Sequence, residues 1–153
     1  VSYNPRSFSV LGSAPKVSHY NFGYEQVSLA EALARSGGAS DVMSNIGGIY
    51  MFRYEPKELI RRILPPNDPR QADLAALPAD GYFPVAYHVN LRQAQGYFLS
   101  QAVQMRDKDT LLVTNAAAVE LQKILGIARN ISGIYYDLKR SSIGGSGGGS
   151  SGF

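Results

Sequence analysis

The chain moves between two hydrophobic rhythms, and the switches mark its elements. SFSVLGSAPKVSHYNFGYEQ carries two strand-like runs, Phe8–Leu11 and Val17–Phe22, separated by a Gly-Ser-Ala-Pro turn, which predicts a β-hairpin. In VSLAEALARSGGAS, Leu29, Ala30, Leu33 and Ala34 recur at helical spacing, with Ser28 in the N-cap position and Gly37-Gly38 as the stop. GIYMFRYEP returns to alternation. It places Ile49, Met51 and Arg53 on one face of a strand and Tyr50, Phe52 and Tyr54 on the other.

Residues 56–82 hold most of the prolines and several charges, which predicts an insert between strands with a short helix over Lys57–Leu64. FPVAYHVNL reads as the next strand, followed by a polar stretch through Gly96. Met105-Arg106-Asp107-Lys108-Asp109 reads as a charged turn ahead of a last strand, Thr110–Thr114. The expected class is therefore α+β, a mixed sheet packed on one helix and occupying residues 1–115. A Gly/Ser-rich tail, 141–153, closes the chain as low-complexity sequence.

Between the domain and the tail lies AAAVELQKILGIARNISGIYYDLKR, residues 116–140, with Asn115 where an N-cap belongs. Turning about 100° per residue gathers Leu121, Ile124, Leu125, Ile127, Ala128, Ile131, Tyr135 and Leu138 into one broad apolar stripe. Lys123, Arg129, Asn130 and Asp137 lie on the polar side, with Gly126 and Gly133 there to let neighbouring helices approach. Twenty such residues would span ~30 Å, the thickness of a hydrocarbon core. Insertion of a single copy is unfavourable. A central Leu or Ile gains only ~0.3–0.6 kcal/mol, whereas one central Arg or Asp costs ~2.5–3.5 kcal/mol. Several copies could span together with their polar sides around water. Packing on the chain's own core and lying in the plane of a membrane are the competing placements for the same stripe.

Composition narrows the function classes. The net charge is +3 and the basic residues are dispersed, with no zinc pattern and no aromatic RNA-binding signature, so nucleic acid is not an expected partner. Cysteine is absent, which removes disulfide and thiol chemistry. No stretch has the uncharged apolar run of an ordinary transmembrane helix, and the start at Val1 rather than Met suggests a piece of a longer protein.

No catalytic residue, metal site or cofactor is expected. His19 and His88, the two histidines, each fall within a predicted strand and outside any cluster of ligands. Asp107 and Asp109 flank Lys108 in a turn, a pattern of surface charge rather than of a glycosidase pair. Ser36-Gly37-Gly38 ends a helix and lacks the lysine of a phosphate loop. Among the ten tyrosines, Tyr20, Tyr24, Tyr50 and Tyr54 are candidates for stacking on sugar rings, although tyrosine is equally a strand residue.

The order of these segments resembles the outer-membrane polysaccharide export family. VLGSAPKVSHYNF, VSLAEALARSGGASD, GIYMFRYEP, PVAYHVNL and YFLSQAVQMRDKDTLLVTN followed by AAAVELQKIL carry the resemblance, from about Ser7 to Ile131. The resemblance implies an SLBB (soluble ligand-binding β-grasp) domain running into an amphipathic helix. It implies a homo-oligomeric ring, commonly of eight subunits, whose helices form a barrel through the outer membrane of a Gram-negative bacterium, above a periplasmic domain. Leu121, Ile124, Leu125, Ala128, Ile131, Tyr135 and Leu138 would then face outer-membrane lipid. Lys123, Gly126, Arg129, Asn130, Gly133 and Asp137 would face the lumen or a neighbouring helix. The implied partners are a capsular polysaccharide or exopolysaccharide in transit and an inner-membrane polysaccharide co-polymerase or export machinery. The family's lipidated cysteine, export-signature domain and further β-grasp repeats are missing from this sequence, Gly126 and Gly133 weaken the helix, and the insert is long for a minimal β-grasp. A soluble carbohydrate-binding β-grasp module, or a docking domain without a pore, is the alternative reading.

Overall fold

The computed structural model describes residues 4–37, 48–114 and 134–137. The hairpin is present as β1 (Ser7–Gly12) and β2 (Ser18–Asn21), antiparallel with Phe8 opposite Tyr20. Gly12 turns the chain at φ +87°, and a side chain there would run into the Val113 carbonyl, so only glycine suits the position. Helix α1 (Leu29–Arg35) starts at a capping box. The Ser28 hydroxyl accepts from the Glu31 amide at 3.2 Å, and the Glu31 carboxylate accepts from the Ser28 amide at 2.8 Å. Its Leu29, Ala32 and Leu33 are buried against the sheet.

The remaining elements are β3 (Gly48–Pro56), α2 (Lys57–Ile63), α3 (Arg70–Ala76), β4 (Tyr82–Val89), α4 (Ala94–Ala102), β5 (Asp109–Thr114) and β6 (Ile134–Asp137). Five strands lie in the order β2-β1-β5-β3-β4, with β6 added on the outer edge of β4. The sheet is mixed. The β1–β5 and β4–β6 pairs are parallel, and the others antiparallel. Because β5 enters between β1 and β3, the last strand of the domain locks the hairpin to the rest of the sheet.

Alternation sorts the side chains onto two faces. On the face that meets the helices, Phe8, Val10, Ile49, Met51, Val89, Leu111 and Val113 pack with α1 into one apolar cluster. At the other end of that face, Phe83 and Val85 pack with Ile60 of α2, Leu64 just after it and Leu74 of α3 into a second. Tyr87 packs against both.

Two expectations are corrected. The described sheet packs on four helices rather than one, since α3 and α4 were not foreseen. Their patterns explain why: α3 buries Leu74 alone and α4 buries only Gly96 and Ser100, so neither shows an apolar stripe. The insert is thus a small helical layer with its own core. The expected helix over 116–140 lies outside the described residues except for Ile134–Asp137, which are strand β6. Ile-Tyr-Tyr is a β-favouring run, and preference for a pleated edge outweighs its helical spacing at that point. Among the described residues, no helix is long and apolar enough to cross a membrane.

Candidate functional site

Past Met51 the buried face of β3 changes from apolar to ionic, because the next two residues in phase are Arg53 and Glu55. Arg53 reaches Asp109 at the start of β5 with two bonds, Nε to Oδ1 at 2.8 Å and Nη2 to Oδ2 at 2.5 Å. Its Nη2 also donates to the Gln104 carbonyl at 2.7 Å. Glu55 accepts the Tyr87 hydroxyl at 2.9 Å and Arg106 Nη1 at 2.8 Å, while Arg53 Nη1 stands 3.9 Å away. The Arg106 amide donates to Asp109 Oδ2 at 2.7 Å. Both carboxylates are buried, and Arg106 closes the cluster from the solvent side.

The electrostatics agree with a closed clamp. Burial opposes the charge on Arg53, but the hydrogen bonds and charge of Asp109, and the charge of Glu55, outweigh it and raise its pKa above the ordinary value. Burial, then the bond to Glu55 and its negative charge, push the Tyr87 phenol well above its usual range. With each carboxylate engaged by arginine and further donors, the cluster offers neither a free base nor a nucleophile. What it does is fasten β3, β4 and β5 together where the two apolar clusters meet. Asp109 therefore departs from the surface-charge expectation, whereas Asp107 is exposed and accepts the Ser7 amide at 2.9 Å.

The four tyrosines singled out from sequence do not form one surface. Tyr20 is stacked on Phe8 at 5.2 Å on the helix-facing side, and its hydroxyl donates to the Lys16 carbonyl at 3.1 Å. Tyr24 stands in the turn after β2, 85% exposed. Tyr50 is buried on the opposite sheet face, with its ring 4.7 Å from that of His88. Tyr54 lies on that same face but is 66% exposed. Its open aromatic neighbour is Tyr82, 60% exposed, because Tyr54 faces Pro84 and Tyr82 faces Pro56 in the β3–β4 register. Tyr82 lies one residue ahead of the strand the sequence predicts, which begins at Phe83. The alternation Tyr82, Pro84, Ala86, His88 would have placed it.

The other expected site residues, Leu121, Lys123, Ile124, Leu125, Gly126, Ala128, Arg129, Asn130, Ile131, Gly133 and Leu138, lie outside the described residues. Tyr135 and Asp137 are in β6, opposite Ala86 and His88. His19 Nδ1 is 3.2 Å from the Ser9 hydroxyl. Among the described residues, no group of three or more His, Cys, Asp or Glu could hold a metal ion.

No protein-family model matches the chain. Individual proteins do. The chain is 32% identical over 122 residues to the capsule polysaccharide export outer membrane protein CtrA of Neisseria meningitidis serogroup A, covering 80% of this chain and 30% of that protein. The serogroup B protein of the same name gives the same figures. The capsule polysaccharide export protein BexD of Haemophilus influenzae is 33% identical over 133 residues, 84% of this chain and 32% of that protein. The chain thus spans about a third of the length of these relatives.

Proposed function

We propose, from the premise that this chain belongs to the outer-membrane polysaccharide export family, that it is part of a subunit of an oligomeric channel exporting capsular polysaccharide or exopolysaccharide. Its location is the outer membrane of a Gram-negative bacterium. The observation that carries the reading is the extent of the match. At 80% of the chain, it is too long to rest on one motif and must take in most of the sheet-and-helix unit.

The topology supports the finer reading. A five-stranded order of β2-β1-β5-β3-β4 around a parallel β1–β5 centre, with α1 held against it, suits an SLBB-like β-grasp. In this account the ion clamp makes the domain a rigid unit of a periplasmic ring. The 116–140 segment supplies one stave of a barrel, with Leu121, Ile124, Leu125, Ala128, Ile131, Tyr135 and Leu138 toward lipid. Lys123, Gly126, Arg129, Asn130, Gly133 and Asp137 turn to the lumen or a neighbour. The cost of Arg129 at membrane depth, ~2.5–3.5 kcal/mol for a lone helix, falls when water fills the ring. An inner-membrane export machine would supply the polymer and the driving force. Tyr54 and Tyr82 offer stacking faces, and weak contacts of that kind let a polymer slide past.

The experiment is to extract the full-length protein from outer membranes and image it in detergent, alongside a deletion strain scored for surface polysaccharide. Closed rings and loss of surface polymer are expected. A monomer in detergent with normal surface polymer would contradict the reading.

A further inference from the structure

Residues Ile134–Asp137 have two assignments that exclude each other. In this structure they pair in parallel with β4, Val85 opposite Ile134, Ala86 opposite Tyr135, Tyr87 opposite Tyr136 and His88 opposite Asp137. Val85 in turn faces Arg53, one residue beyond the Phe52 that faces Thr110. Ile134 therefore sits level with Asp109, the beginning of β5, and three strand spacings away, roughly 14 Å. A membrane stave leaving Thr114 would carry the same residue ~30 Å beyond the other end of β5. One chain cannot do both at once.

We propose that the β4–β6 pairing is a clasp, which holds the membrane-directed segment on the sheet before assembly and releases it on insertion. The proposal rests on the channel reading above. Three features of the pairing suit that task. It is short, four residues, so few bonds must be surrendered. It is parallel and lies at one edge, the less stable kind of ladder and the one with a single neighbour to leave. It also covers the outer edge of β4, whose open N–H and C=O groups would otherwise template pairing with other chains before the subunit reaches the membrane.

The register supplies the test. This chain has no cysteine of its own, so Ala86→Cys with Tyr135→Cys introduces one pair at facing positions, and parallel neighbours lie within the Cα separation a disulfide tolerates. The full-length double variant is purified unassembled, oxidised, and offered to outer-membrane lipid vesicles, with the wild type and the reduced variant beside it. The disulfide should form within single chains, lower assembly at least tenfold, and release it again on reduction. His88→Cys with Asp137→Cys gives a second lock should the first variant fail to fold. Equal assembly of oxidised and reduced protein would overturn the clasp, as would failure of both pairs to oxidise in folded protein. Failure of the wild type itself to assemble would overturn the channel reading instead, and the clasp with it.

Discussion

Arg53 and Asp109 are 56 residues apart in sequence and meet through two parallel bonds, with both side chains buried. Between them they tie β3 to the turn that opens β5. A two-point guanidinium–carboxylate bond fixes orientation as well as distance.

Removing one partner should therefore cost far more than removing both. Asp109→Ala leaves a buried guanidinium and should destabilise the domain by about 3–5 kcal/mol, whereas Arg53→Met with Asp109→Leu should lose much less. Urea unfolding of the two variants checks this, and equal losses would show that the pair is not isolated from water.

Alkaline pH probes Tyr87. Its phenol pKa is raised above the ordinary 10.0, so between the two values the unfolded chain gives up a proton that the folded chain keeps. The stabilisation is complete below pH 10 and is lost as pH rises from there toward the folded value. Tyr87→Phe should flatten that decline in melting temperature while costing about 1 kcal/mol at neutral pH.

Gly12→Ala tests the junction of β1 with β5. The positive φ alone penalises alanine by ~1–2 kcal/mol, and the Val113 carbonyl blocks the new methyl group. A total loss above ~2 kcal/mol is expected, measurable by denaturant unfolding. Lys108→Gly is the opposite case. It relieves a left-handed residue at φ 66° and should be neutral or stabilising by up to about 1 kcal/mol.

What could be read from sequence was what local chemistry decides. Ser28 announces α1, and the alternation of Ile49, Met51 and Arg53 against Tyr50, Phe52 and Tyr54 gives the faces of β3 correctly. The arginine on the buried face was visible, but its partner was not. Asp109 looks like any turn aspartate until β5 is placed beside β3, a non-local fact. Helix α4 escaped because its exposed side carries Tyr97 and Phe98 while its contacts are made by Gly96 and Ser100, an inversion of the usual stripe. Tyr20 and Tyr50 look alike in sequence, and only the register puts them on opposite faces.

Leu125→Arg addresses the proposed membrane segment at a position outside the described residues. It adds ~2.5–3.5 kcal/mol per copy at membrane depth, multiplied around a ring. Membrane assembly should fail while the domain's unfolding midpoint stays unchanged. Normal surface polysaccharide in that variant would count against the stave.

The most direct measurement is cysteine accessibility in native outer membranes, with Leu125→Cys and Asn130→Cys made separately in the full-length protein. A membrane-impermeant thiol reagent should label position 130 from the aqueous lumen and leave position 125 unlabelled in lipid. Equal labelling at both positions, or protection of both in a water-soluble monomer, would contradict the channel.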